Sequence, residues 1–269
     1  LMLNARVKSA LVFVPLLLLV SWLGGLIYFI FILVMLGIGT WEYWRLLKTM
    51  GYDVSFPLML AGVELLLILR QVNGFAGSDI ALLVILGASA IFSLVRYNKV
   101  EAQSVLTFGL HVSSILYLGW LGGYFLSLAA LPKGNWWVMV TLALVWMADL
   151  GGYIFGTKWG KHKMSLRLSP RKTWEGYLGG VIFAVGSGML LSLALQPVLP
   201  ELALWEGAVM GLVLALVTPF GDLFISMLKR AAGVKDSGTL IPGHGGILDR
   251  ADTWLWAMML GYYMVLVFA

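Results

Sequence analysis

The chain has 269 residues, of which 61% are hydrophobic and only 12% are charged, and its mean hydropathy is +0.93. Soluble domains carry about 25% charged residues, so this composition excludes an ordinary soluble fold and indicates an all-α protein that crosses a membrane many times. The chain has no cysteine, which excludes disulfides, thiolate metal sites and a thiol nucleophile.

Apolar runs of membrane-spanning length follow one another along the whole chain. A transmembrane helix needs about 20 mainly apolar residues. We predict nine such helices, or ten if the glycines from Gly119 to Gly123 divide the fifth run rather than bend it. The predicted spans are residues 9–22, 25–44, 56–71, 79–95, 104–130, 136–156, 174–197, 204–228 and 250–268.

The basic residues predict how these helices are oriented, because cytoplasmic loops are enriched in Lys and Arg. With nine spans, sixteen of the eighteen Lys and Arg residues fall on one side, and only Arg70 and Lys133 fall on the other. We therefore expect a protein of the cytoplasmic membrane with a cytoplasmic amino terminus and two large basic cytoplasmic loops. The net charge of +5 describes this face and not a nucleic-acid-binding domain, since the basic residues lie between apolar helices.

The polar residues divide the chain into two functional parts. Residues 1–135 are predicted to be transmembrane helices that pack, contact lipid and contribute to a dimer interface. Residues 136–269 are predicted to be catalytic helices with the two basic loops. Glycines at four-residue spacing favour close helix packing and a homodimer: Gly152 and Gly156, Gly176 and Gly180, Gly207 and Gly211.

Three polar residues in the early spans are interpreted as structural. Glu42 lies near Arg45 and Lys48, so we expect its carboxylate to reach the membrane interface by snorkelling. Glu64 and His111 are isolated, and an interhelical hydrogen bond explains each of them at least as well as a functional site.

The segment after Thr218 places several polar residues on one predicted helix face. Pro219 is expected to break or bend the helix there. A carboxylate at the depth of Asp222 requires a cation, because a charged group inside a membrane is costly. The residues of this face lie at i, i+4, i+7 and i+8: Asp222, Ser226, Lys229 and Arg230.

The following loop combines glycines with acids. Residues 242–246 form a glycine-rich run that allows positive φ and leaves backbone amides open to a phosphate. Asp249 and Asp252 then share a helix face, with Arg250 between them. One acid would suffice to cap the helix, so two acids opposite a helix with Asp222 favour a divalent cation over a structural ion-pair network.

The loop between the sixth and seventh spans has a second polar cluster. Ser169 and Thr173 flank Arg171 and Lys172, and all four are residue types that bind phosphate. Residues 156–161 look superficially like a P-loop, but the glycine spacing is too short and no Ser or Thr follows the lysine. A basic loop that only follows the positive-inside rule is the alternative.

These segments resemble the signature of the phosphatidate cytidylyltransferases, the CDP-diacylglycerol synthases. The main motif runs from Ser226 to Asp252 with fixed spacing, and Asp149 with residues 169–176 resembles a second motif. Ala251 stands where a larger apolar residue or Thr is usual, which affects packing only. The resemblance covers about residues 140–269.

The resemblance implies that CTP and phosphatidate react to give CDP-diacylglycerol and pyrophosphate with the help of Mg²⁺. A phosphomonoester has a second pKa of about 6, so phosphatidate is already a nucleophile, and the site must mainly neutralise negative charge.

Each candidate residue then receives a role. Two carboxylates are predicted as metal ligands and two more as further ligands, in this order: Asp222, Asp249, Asp252 and Asp149. Basic residues are predicted to hold phosphates: Arg171, Lys172, Lys229, Arg230, Lys235 and Arg250. Other residues are predicted to orient substrate: Ser169, Thr173, Ser226, His244, Gly245 and Gly246. His244 either contacts a phosphate or acts as a general acid.

Two other functions fit the same residues. The first is CTP-dependent transfer to another lipid phosphate or to a lipid alcohol. The second is ion-coupled transport, which intramembrane acids often mark. Transport would place polar residues at the bilayer midplane in symmetric repeats, whereas here they cluster at one cytoplasmic edge.

Overall fold

The computed structural model describes residues 15–100, 103–240 and 245–268, and these are helical apart from short connections and one β-hairpin. Residues 15–23 are helical and are called α1 here. The other elements are α2 (Gly25–Thr49), α3 (Phe56–Asn73), α4 (Ser78–Val100), α5 (Ser104–Ile115), a π-helical stretch (Leu116–Trp120), α6 (Gly123–Ala129), α7 (Gly134–Trp159), β1 (Lys163–Ser165), β2 (Ser169–Thr173), α8 (Trp174–Ala194), α9 (Leu204–Val217), α10 (Pro219–Ala231) and α11 (Leu248–Phe268).

The described residues contain eight segments that are long and apolar enough to cross a membrane. They coincide, within a few residues at each end, with the second to the ninth predicted spans. The first predicted span, residues 9–22, lies partly outside the described residues. The prediction of an all-α polytopic membrane protein is confirmed, whereas the cytoplasmic amino terminus stays a prediction.

The fifth predicted span is a single segment with a local irregularity at residues 116–122 and is not divided into two spans. α5 continues into the π-helical stretch, where the Leu121 amide donates to the Leu116 carbonyl at 3.2 Å. A Cβ on Gly122 would lie 2.1 Å from the Leu118 carbonyl oxygen and 2.4 Å from Leu36. Only glycine therefore fits at position 122, and α5 and α6 belong to one apolar segment of spanning length.

The chain divides into two compact units by its internal contacts. The first unit comprises the residues up to Ser127 together with Leu228–Ala251, and the second comprises Leu128–Met227 together with the residues from Asp252 onward. In the second unit α8 packs against both α7 and α9. The functional division predicted at residue 135 stays a prediction.

Glycines allow the three helices of the second unit to approach closely. A Cβ on Gly176 would lie 2.8 Å from the Gly152 carbonyl oxygen, and a Cβ on Gly211 would lie 2.3 Å from that of Ala184. The predicted tight helix contacts are therefore confirmed. They are made within one chain, so the homodimer inferred from the same glycines stays a prediction.

We expect Gly188→Ala to destabilise the second unit. Gly188 of α8 faces Gly207 of α9, and a Cβ on Gly188 would lie 1.9 Å from the Gly207 carbonyl oxygen. The helices would have to separate, at a cost of about 1–3 kcal/mol, and the thermal midpoint of detergent-purified protein should fall by about 2–4 °C for each kcal/mol. Gly186→Ala is the control, because a Cβ on Gly186 meets nothing within 4 Å. Equal midpoints for the two variants would contradict this prediction.

Candidate active site

A break between two helices of the second unit sets the position of Asp222. α9 ends at Val217 and α10 begins at Pro219, as the proline predicts. Asp222 therefore lies in the first turn of α10, where a negative charge is favoured by the helix dipole. Ser226, one turn further on, donates from Oγ to Asp222 Oδ1 at 3.3 Å, which confirms that the two share a helix face.

A lysine from the β-hairpin neutralises Asp222. Lys172 Nζ lies 2.5 Å from Asp222 Oδ2, and both side chains are partly exposed. Lys172 belongs to β2, whose pairing with β1 sets Lys163 opposite Thr173 and Ser165 opposite Ser169. The sequence analysis predicted a loop here and not a hairpin.

The hairpin is anchored to the start of α8. Thr173 is the N-cap of α8, and its Oγ1 accepts a hydrogen bond from the Gly176 amide at 3.1 Å. Glu175 accepts hydrogen bonds from the amides of Lys161 and His162 and lies 2.5 Å from His162 Nδ1. These contacts hold both ends of the hairpin, so the position of Lys172 is fixed by the fold of the second unit.

A cavity of about 460 Å³ lies beside this pair, within the second unit. Its polar wall includes Asp149 and the predicted phosphate-binding residues Arg171, Lys172 and Thr173. Glycines of α7 and α8, whose close approach brings the two helices together, form another part of the wall: Gly152, Gly156, Gly176 and Gly180. The cavity thus joins a basic end to an apolar surface, as an anionic lipid headgroup with its chains would require.

A second lysine–carboxylate pair lies in the first unit. Lys229 Nζ lies 2.5 Å from Asp249 Oδ1, and each residue is only 8% exposed. Asp249 Oδ2 accepts hydrogen bonds from the Ser237 amide at 2.8 Å and the Gly246 amide at 3.0 Å, and it lies 2.9 Å from the Ser237 hydroxyl oxygen. Gly245 has a φ of +83°, which confirms the positive φ expected in the glycine-rich run.

The prediction that Glu42 reaches the membrane interface is wrong. Glu42 is 0% exposed and accepts hydrogen bonds from the Ser237 hydroxyl and from the amides of Ile247 and Leu248. Glu42 and Ser237 are thus two residues next to Asp249 that the sequence motifs do not indicate. Their partners lie up to 206 residues away in the chain, so no local spacing could indicate them.

The other predicted site residues differ in their surroundings. Arg250 Nε is buried and has no hydrogen-bond partner among the described residues. Asp252 is buried in the second unit. Arg230 donates to the Val234 carbonyl at 3.3 Å, and Lys235 is exposed. His244 lies outside the described residues.

His111 has the structural role expected of it. Its Nε2 accepts a hydrogen bond at 2.8 Å from the amide of Ser55, the N-cap of α3, and so links α5 to α3. Glu64 lines a separate apolar groove of the first unit with Trp41 and Phe56.

The carboxylates suit Mg²⁺ by their chemistry, since Mg²⁺ prefers oxygen ligands. In the structure, however, a lysine neutralises Asp222 and another neutralises Asp249. Within the part of the chain that the structure describes, no three His, Asp or Glu residues are grouped closely enough to hold a metal ion. The Mg²⁺ site stays a prediction.

Comparison with known proteins gives the family. A family model described as "Cytidylyltransferase family" matches residues 4–268. The chain belongs to the cytidylyltransferase family. The phosphatidate cytidylyltransferase of Synechocystis is 32% identical over 97% of this chain and 96% of its own length. That of Staphylococcus saprophyticus is 32% identical over 94% and 93%, and that of Bacillus subtilis is 32% identical over 74% and 72%.

These matches confirm the family that the motifs predict, and they extend the similarity to the amino-terminal part of the chain. The motif resemblance covers about residues 140–269, whereas the cytidylyltransferase family model begins at residue 4. The amino-terminal helices are therefore part of the shared family architecture. This agrees with the contact between Glu42 of α2 and the loop that precedes Asp249.

Proposed function

We propose that this chain transfers the cytidylyl group of CTP to phosphatidate, giving CDP-diacylglycerol and pyrophosphate. The observation that carries the proposal is the match over 97% of the chain to a protein named phosphatidate cytidylyltransferase. The two lysine–carboxylate pairs and the basic cavity supply the charges that such a reaction needs.

In the proposed reaction an oxygen of the phosphatidate phosphate attacks the α-phosphorus of CTP, and the bond from this phosphorus to the pyrophosphate oxygen breaks. The nucleophile is already anionic near neutral pH, so no side chain has to remove a proton. The protein instead binds and orients two strongly negative substrates. Arg171 and Lys172 line the cavity and are placed to hold phosphate groups of one substrate.

The lysine–carboxylate pairs suggest how the site prepares for these substrates. Lys172 neutralises Asp222, and Lys229 neutralises Asp249. The ammonium groups of Lys172 and Lys229 would be available to bind phosphates if the two carboxylates held Mg²⁺. Mg²⁺, when bound, supplies charge neutralisation for the phosphates and for the departing pyrophosphate. Asp222 and Asp249 would hold it, with Asp149 and Asp252 as further oxygen ligands.

A radiochemical assay tests the proposed reaction. We expect detergent-purified protein to convert labelled CTP into an organic-extractable product when phosphatidate and Mg²⁺ are present, and to lose this conversion in EDTA. A panel of other lipid phosphates and lipid alcohols decides whether phosphatidate is the preferred acceptor. Product from another acceptor alone would overturn the choice of phosphatidate, and no product from any acceptor would overturn the transfer reaction.

We further propose that the site lies on the cytoplasmic side of the cytoplasmic membrane. The chain lacks cysteine, so single cysteines can be introduced without background. Lys161→Cys, in the basic loop, should react in intact cells only with a membrane-permeant thiol reagent, and Lys133→Cys should also react with an impermeant one. The opposite pattern would invert the proposed orientation.

The mass of the protein in detergent tests the proposed homodimer.

A further inference from the structure

Glu42 is a fully buried carboxylate in α2, a helix for which the sequence predicts only packing. Its Oε2 accepts hydrogen bonds from the Ser237 hydroxyl and the Leu248 amide, both at 2.8 Å, and its Oε1 accepts one from the Ile247 amide at 3.1 Å. No Lys or Arg of the described residues forms an ion pair with Glu42. A buried charge is costly unless its surroundings compensate it, and here the compensation comes from one loop and one helix end.

The groups that Glu42 binds are those that place Asp249. Leu248 is the first residue of α11, and its amide and that of Ile247 are among the amides that a helix start leaves without an intrahelical partner. A negative charge at this position is also favoured by the helix dipole. Asp249 is the next residue, so fixing these two amides fixes its backbone.

Ser237 connects the two carboxylates directly. Its Oγ lies 2.8 Å from Glu42 Oε2 and 2.9 Å from Asp249 Oδ2, so its single proton is donated to one of these oxygens at a time, and its amide donates to the same Asp249 oxygen at 2.8 Å. Glu42 thus holds Asp249 from two directions, through the start of α11 and through Ser237.

Two glycines bring the loop backbone against Glu42. A Cβ on Gly238 would lie 2.4 Å from Glu42 Oε1, and a Cβ on Gly246 would lie 2.2 Å from Glu42 Oε2. The amide of Gly246 also donates to Asp249. The same close fit therefore places both Asp249 and one of the amides that the glycine-rich run offers to a phosphate.

We propose that Glu42 is a positioning residue for the transfer reaction: through Ser237 and the first amides of α11 it holds Asp249 and the Gly246 amide in place. Its catalytic consequence rests on the proposed function, whereas its effect on the loop does not. The amino-terminal half of the chain then contributes directly to the geometry of the site.

Hydrogen–deuterium exchange tests the effect on the loop in the full-length protein without substrate or Mg²⁺. In Glu42→Gln an amide NH₂ replaces one acceptor oxygen. We expect the amides of residues 246–248 to exchange about tenfold faster, as expected for the loss of one or two buried hydrogen bonds. Glu64→Gln is the matched control, because Glu64 is a carboxylate of the neighbouring α3 with no contact to this loop, and its exchange should equal that of the unmodified chain.

Steady-state kinetics test the catalytic consequence. We expect Glu42→Gln to lower kcat by about 10–100-fold, as loss of a residue that orients a ligand does, with KM for CTP within about twofold. Ser237→Ala removes the bridging hydroxyl without a change of charge and should show the same kind of loss, so it decides the matter if Glu42→Gln does not fold. Unchanged exchange and unchanged kcat in the variants that fold would overturn the proposal. The unmodified chain could also make no CDP-diacylglycerol while Glu42→Gln still exchanges faster. That result would support the positioning role of Glu42 and overturn the proposed function instead.

Discussion

Asp249→Asn should reduce the formation of CDP-diacylglycerol by about 10²–10³-fold, as does the loss of one preorganised electrostatic group at other active sites. Asp249 accepts hydrogen bonds from two amides and pairs with Lys229. Asparagine keeps the shape of the side chain but not its charge, so it cannot balance Lys229 and would hold a divalent cation more weakly. The measurement is the rate of labelled product formation at saturating CTP, phosphatidate and Mg²⁺.

The thermal midpoint of the same preparation separates this loss from simple unfolding. Breaking a buried ion pair costs about 3–5 kcal/mol, so Asp249→Asn should lower the midpoint, and the assay must be run below the midpoint of the variant. Asp79→Asn is the matched control, since Asp79 is an exposed acid at the start of α4. Near-normal turnover in folded Asp249→Asn would exclude Asp249 as a ligand or an electrostatic group of the reaction.

Lys172→Met should lower kcat/KM by about 10²-fold, because Lys172 both neutralises Asp222 and lines the cavity. Here the effect on stability should be small, since exposed or half-exposed ion pairs contribute about 0–1 kcal/mol. Initial rates measured against each substrate in turn show which substrate the lysine binds: KM rises for the substrate whose phosphates it holds. Lys172→Arg retains the charge and should recover part of the activity.

Lys161→Met provides the comparison for this prediction. Lys161 lies in the same basic segment and is exposed, so its replacement changes the net charge of the loop by the same amount. We expect its kcat/KM to remain within about twofold of the unmodified chain, because exposed charges are screened by solvent and salt. If both lysine variants lost the same small amount of activity, Lys172 would contribute only to the positive charge of the loop and not to the reaction.

The membrane fold could be predicted from the sequence because its signals are local. An apolar run reveals a span by its length alone, so the helices from α2 onward coincide with predicted spans. Three further features could also be predicted from residues that are close together in the sequence. They are the break at Pro219, the shared face of Asp222 and Ser226, and the close helix contacts at Gly176 and Gly211. The motif between Ser226 and Asp252 likewise suffices for the family, which the relatives confirm.

Pairing across the chain could not be predicted in this way. Lys172 was expected to meet phosphate and Asp222 to meet a metal, but the structure pairs them with each other through a hairpin that no apolar pattern indicates. Glu42 looked like an interfacial residue because basic neighbours follow it within one or two turns. Its actual partners are Ser237, Ile247 and Leu248.

By itself the sequence determined the helices, their apolar faces and the family, because each of these depends on neighbouring residues or on a motif of fixed spacing. Only the tertiary structure decided which charges neutralise each other and which buried carboxylate holds the start of α11. The physical reason is that the cost of burying Glu42 is offset by donors about 200 residues away. Such a balance exists only once α2 and the loop before α11 are packed together.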